Sequence, residues 1–213
     1  FEEGLKLLSR RGDRWAETVN LLVEIVDKKE TMELVTKLVE ALEDSDTWDI
    51  ATRVLAGIGD MVGPKLSGLL ASENELPRRG AVKILGKIRA IQYVNDLASL
   101  AGDHSWRVRR EAVEALIMLK EHKHLAAYAA DPQPSVLRSV FRGRLLLEDS
   151  PIEIIRGVIK KGNPIHQEQM AWATHDLFSA LLKRLTEADI CELMKELLEH
   201  ENNDVKLLSY LMA

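Results

Sequence analysis

The side chains able to do chemistry in this chain are few, and their spacing works against them. Gly57-Ile58-Gly59-Asp60-Met61-Val62-Gly63 has the glycine density of a phosphate-cradling loop. Its third glycine falls one residue late for a dinucleotide fingerprint, helical patterns flank it on both sides, and no Gly-Lys-Ser/Thr follows it. Glu121-His122-Lys123-His124 holds one Glu-x-x-His; a carboxylate-bridged metal pair needs two, with further carboxylates. His122 and His124 are two apart and point in different directions on a helix, and His166 and His175 are poorly placed to join them. Cys191 lies among Ile190, Leu193 and Met194 and is expected to be a buried structural thiol, since no base is paired with it in sequence. Glu192 and Glu196 stand one helical turn apart, as a pair of proton-transfer carboxylates would, but Lys195 and Glu199 beside them read as a solvated face. No catalytic residue, metal ligand or cofactor is therefore expected, and the chain is not read as an enzyme.

Basic residues offer a second kind of chemistry, the holding of anions. Residues 72–147 carry 13 Lys and Arg against 8 Asp and Glu, a balance of +5. Residues 1–71 carry 9 against 14, and residues 148–213 carry 7 against 12, so each flank stands at −5. Arg79, Lys83 and Lys87 recur every fourth residue, which lines them along one helical face, and Arg138 and Arg142 repeat the spacing. Arg107 with Glu111, and Arg110 with Glu114, are spaced to neutralise each other. Such a strip suits a nucleic-acid backbone, an acidic peptide or an acidic protein face; equally, it is what an ordinary solvated surface looks like. Trp15, Trp48, Trp106 and Trp172 fall at or near helix starts and are expected to be packing anchors rather than a base-stacking platform.

The elements that position these residues are helices. Apolar side chains recur three and four apart, as in Leu34, Leu38, Val39, Leu42 and in Val108, Ala112, Ala115, Leu116, Leu119. The 12 Gly and 6 Pro fall between such stripes. Helices are predicted at 2–9, 14–27, 31–43, 46–58, 62–71, 75–89, 92–101, 105–120, 122–129, 133–147, 151–160, 165–185, 187–200 and 204–212. Capping boxes are expected at Ser72 with Glu75 and at Thr186 with Asp189, a cap followed by Pro at Asp131-Pro132 and Ser150-Pro151, and a stop at Gly162-Asn163-Pro164. The links are short, which favours antiparallel helical hairpins.

The hairpins repeat. Ala51, Ala81 and Ala112 align at spacings of 30 and 31 residues. In that register Leu55, Leu85 and Leu116 coincide, as do Val54, Ile84 and Ala115, and Ile58, Ile88 and Leu119. The run Asp103-His104-Ser105-Trp106-Arg107-Val108-Arg109-Arg110-Glu111-Ala112 is the clearest copy; Asp131 to Leu146 is a degenerate one, with Leu137-Arg138 in place of Val108-Arg109. A hairpin of about 30 residues cannot cover its own apolar faces, so stacked neighbours must complete the core.

These residues resemble the HEAT-repeat family and, within it, the HEAT-like units first named in phycobilisome lyases. The resemblance is carried by the Asp, the Val-Arg pair, the Ala-rich helix and the Leu-x-x-Ile-Gly-Asp turn, and it covers 46–147 best. It implies an all-α fold: an α-solenoid, a right-handed superhelix of stacked antiparallel hairpins with about five to six units. One domain is expected over 1–213, with a divergent N-terminal unit at 1–45, the clearest repeats at 46–147, and divergent units and a C-terminal cap at 148–213. The resemblance also implies that Arg78, Arg109 and Arg138, at the Val-Arg position, pair with the loop carboxylates Asp60, Asp103 and Asp131 of neighbouring units as a structural ladder. Arg79, Lys83, Lys87, Arg107, Arg110 and Arg142 are left as the residues to meet a partner. A non-catalytic scaffold for protein–protein interaction is the expected function, its partner carrying an acidic segment; nucleic-acid binding by the basic middle, as in HEAT-like DNA-repair proteins, is the alternative. Bilin-lyase chemistry is implied only by the name of the repeat.

No apolar run approaches the roughly 18–20 residues of a membrane span, and no charged-then-apolar leader opens the chain, so a cytoplasmic protein without a membrane partner is expected. The first residue is Phe1, which suggests that the chain begins inside a longer product.

Overall fold

The computed structural model describes residues 28–147 and 185–199, and every regular element among them is helical. In chain order these are α1 (Lys28–Glu40), α2 (Ser45–Ile58), α3 (Gly63–Leu69), α4 (Glu75–Lys87), α5 (Val94–Ser99), α6 (Trp106–Met118), α7 (Pro134–Leu147) and α8 (Glu187–Glu199). Short 3-10 turns lie between α1 and α2, α2 and α3, α4 and α5, and α5 and α6, and a longer 3-10 segment spans His122–Tyr128. The predicted helices at 2–9, 14–27, 151–160, 165–185 and 204–212 lie wholly or almost wholly outside the described residues. The chain divides into two compact units, the first ending at Glu121 and the second beginning at His122.

In the first unit the repeat positions are the core. Ala51, Ala81, Ala112, Leu55, Leu85 and Leu116 are all fully buried, and Val54, Ile84 and Ala115 are nearly so. Helix α2 packs on α4 and α4 on α6, with α3 against α4 and α5 against α6. The long helices run parallel. The start of α4 is bonded to the turn before α6 through Arg78 and Asp103. Near the other end, Gly86 of α4 lies against Ala115 of α6, where a β-carbon on Gly86 would come within 2.8 Å of the Ala115 Cα. Side chains at both small positions would push the helices apart, so Gly86 and Ala115 set the closeness of this joint.

Helices α2, α4 and α6 each begin with an oxygen that accepts from an unpaired first-turn amide: Asp44 from Asp46 N, Asn74 from Leu76 N and Ser105 from Arg107 N. The expected Ser72–Glu75 box is thus replaced by an Asn74 cap, because the chain turns into the helix two residues later and the Ser72 carbonyl is taken by Arg78. Helix ends repeat too. Gly59, Arg89 and Lys120, eight residues after the aligned alanines, have positive φ angles of 80°, 55° and 60°. After α4 and α6 the next amides, Ala90 N and Glu121 N, reach back to the carbonyls of Leu85 and Leu116. That is a left-handed helix stop which satisfies carbonyls otherwise left open. Gly59, at φ 80° and ψ −148°, lies in a region open to glycine, whereas Arg89 and Lys120 are held at positive φ despite their β-carbons. The glycine-rich stretch at 57–63 is therefore a repeat turn.

In the second unit the His122–Tyr128 segment packs on α7, burying Leu125 and Tyr128 with Val136, Leu137, Val140 and Leu145. Asp131 caps the turn before α7 by accepting from Gln133 N at 2.8 Å. The Thr186–Asp189 box closes in both directions at the start of α8. Leu193 of α8 is fully buried. Cys191 is exposed, against the expectation of a buried thiol: two residues from Leu193, it falls on the opposite side of the helix.

Candidate interaction face

Arg78, in the first turn of α4, uses all five of its N–H donors. Nε and Nη2 donate to the two carboxylate oxygens of Asp103 at 2.9 and 3.1 Å. Nη1 donates to the carbonyls of Ser72 and Glu73 at 2.7 and 2.9 Å, and the second Nη2 donor meets His104 Nε2 at 2.9 Å. With guanidinium and carboxylate both about 95 % covered, this is a buried joint between consecutive repeats, closed to a partner. Arg109 repeats the backbone contacts: its Nη1 donates to the carbonyls of Asp103 and His104, again six and five residues upstream. Arg138 donates to Ser135 Oγ at 3.3 Å. Asp60 sits exposed in the turn after α2, and Arg78 is bound to Asp103 and not to it. The reason is register: Asp60 falls in the turn that ends α2, whereas Asp103 falls in the turn that begins α6, beside the start of α4.

The next residue, Arg79, points elsewhere. Its guanidinium lies 4.5 Å from the ring centroid of Trp48 on α2, and the Lys83 ammonium lies 4.7 Å from the same ring. Trp48 is itself nearly buried, and its indole Nε1 donates to the Leu76 carbonyl at 2.8 Å. The indole is therefore the anchor expected of it and also a platform that fixes two cations of the following repeat. Arg79 Nε is buried and has no hydrogen-bond partner. Lys87, one turn further along, is exposed; burial of its stem and the charge of Lys83 lower its pKa, against an opposing pull from Asp49.

On α6, Arg107 and Arg110 lie 4.9 and 5.6 Å from the ring of Trp106 in their own helix. Arg107 does not pair with Glu111 as its spacing suggests; its Nη1 lies 3.9 Å from Glu75 of α4. Glu111 is turned inward and buried, in the field of Lys83, Arg79 and Arg110. Its pKa is raised, chiefly by burial, although all three cations pull it down. On α2 the Asp49–Arg53 pair closes at 3.0 Å. Five of the six partner candidates, Arg79, Lys83, Lys87, Arg107 and Arg110, thus lie on the adjacent helices α4 and α6 of one unit. Arg142 belongs to α7 of the second unit.

The fold of these residues has a counterpart. Residues 63–143, from α3 to α7, match the family model described as HEAT repeats. No curated protein matches the chain. Among the described residues no group of three or more His, Cys, Asp or Glu side chains is placed to hold a metal ion, and no helix is long and apolar enough to cross a membrane. His122 and His124 are partly exposed on the 3-10 segment, Glu192 is exposed on α8, and His166 and His175 lie outside the described residues.

The sequence did not single out Trp48 as a cation platform or Glu111 as a buried charge. A signal for the first was present: Trp48 and Arg78 occupy the same repeat position, so Arg79 and Lys83 follow it by one repeat on the next helix. Glu111 gave none, because an i, i+4 arginine disguised it.

Proposed function

We propose that the protein is a non-catalytic scaffold that binds a protein partner on the face of α2, α4 and α6, with Arg79 and Lys83 as the central contacts. One observation carries this reading: two cations of one repeat held over the tryptophan of the repeat before, away from the bonds that close the joint. Side chains already ordered on a ring lose less freedom on binding than free ones. HEAT repeats commonly serve as protein-interaction scaffolds and are typically non-catalytic, which supports the same function. The reading extends to repeats of the phycobilisome-lyase pattern, about five to six of them, coiled as a right-handed superhelix.

An acidic protein segment suits this face better than a nucleic acid. Asp49, Glu75 and Glu114 are interleaved with the cations, and a uniform row of phosphates would meet them all. A protein segment can place a few carboxylates opposite the cations alone. The test is fluorescence anisotropy of a labelled eight-residue aspartate peptide, beside a labelled DNA duplex, at low salt. Arg79→Glu with Lys83→Glu is expected to weaken peptide binding at least tenfold at unchanged helicity. Duplex bound more tightly than peptide would favour nucleic acid, and a double variant that binds as well as the parent would remove the face from consideration.

A further inference from the structure

We propose that Glu111 is the resident counter-charge of the Arg79–Lys83–Arg110 cluster, and that a carboxylate-bearing partner seated on those cations drives a proton onto it. The inference rests on the binding face proposed above and adds how its strength is governed.

The placement carries the argument. Glu111 stands on α6 where that helix packs against α4, is buried, and lies in the field of Lys83 and Arg79 from α4 and of Arg110 and Glu114 from its own helix. It in turn acts on Lys87 of α4. Helix α5, also packed on α6, contributes only the exposed Asp96, and the 3-10 turn Leu100–Gly102 has no ionisable side chain. Among the described residues Glu111 makes no direct ion pair, so its ionised form depends on the diffuse field of these cations against the cost of burial. An anionic group settling on Arg79 and Lys83 cancels that field. With that opposing pull gone, burial raises the Glu111 pKa further, and Glu111 takes up a proton. By linkage, a proton on Glu111 strengthens the binding of the anion by the same factor.

The experiment uses the whole chain and the labelled eight-residue aspartate peptide at pH 5.5 and 7.5; the peptide's own titration is the same for every protein compared. Affinity is measured at both pH values for the parent, Glu111→Gln, and Glu40→Gln, which removes one exposed charge from α1. Histidine ionisation is common to all three proteins and cancels in the comparison. The parent's gain in affinity on acidification is expected to exceed that of Glu111→Gln by about three- to tenfold. Glu40→Gln should behave as the parent. Calorimetry of the unaltered protein in two buffers of different ionisation heat should show net proton uptake on binding, which holds even if Glu111→Gln folds poorly. Equal pH responses in parent and Glu111→Gln, or binding without extra proton uptake, would overturn the linkage while leaving the face intact. Absence of peptide binding, or binding indifferent to Arg79→Glu with Lys83→Glu, would overturn both.

Discussion

Arg78 and Arg79 are neighbours in the chain, carry the same guanidinium and start from the same turn of α4, yet they belong to different parts of the molecule. Arg78 is sunk in the joint between repeats, with every donor engaged by Asp103, His104 and two carbonyls. Arg79, about 100° further round the helix, lies on the indole of Trp48 with its Nε unbonded. One step of helical rotation turns the same chemistry from a rivet into a side chain stacked on a ring. In a repeat protein such steps recur, so charge count says little about a helix until each charge is assigned to the joint or to the face.

The largest effect should come from the joint. Arg78→Ala strands a buried carboxylate at Asp103 and opens two carbonyls, and should cost about 3–5 kcal/mol in urea unfolding. A cost under 1 kcal/mol would mean that the pair is no rivet. Next is the far end of the same interface. Gly86→Ala drives a β-carbon into the Ala115 backbone and should destabilise by about 1–3 kcal/mol, with the loss localised to α4 and α6 in hydrogen exchange.

Much of this was legible beforehand. The Ala51–Ala81–Ala112 register located the buried core because small residues at a fixed helical position are what close packing of neighbours requires. The long helices α2, α4 and α6 begin and end close to their expected limits, since caps and apolar stripes are local signals. What escaped was non-local. The partner of Arg107 is Glu75 of the previous long helix rather than Glu111 in its own, and Asp60 stands outside the joint. Periodicity within one helix cannot report which charge a neighbouring helix presents.

Glu111 gives a smaller, pH-dependent effect. Its folded-state pKa is raised by burial, so protonation favours the folded state: that contribution is complete below the ordinary carboxylate value and is lost as pH rises through the raised one. The stability of Glu111→Gln relative to the parent should therefore climb from acid to neutral pH, read as the difference between two denaturant midpoints. A flat difference would place Glu111 in an ordinary solvated setting. Smallest of all should be Arg89→Gly, which relieves a left-handed residue at the end of α4 and should raise stability by up to about 1 kcal/mol, less the extra freedom glycine gives the unfolded chain.

The division between joint and face is tested most directly by measuring Arg78→Ala and Arg79→Ala side by side, each for unfolding free energy and for affinity to the aspartate peptide under conditions where both are folded. Arg78→Ala should lose stability and keep the peptide; Arg79→Ala should keep its stability to within about 2 kcal/mol, the value of a desolvated cation–π contact, and lose the peptide. The reverse pattern, or parallel losses in both variants, would contradict the account.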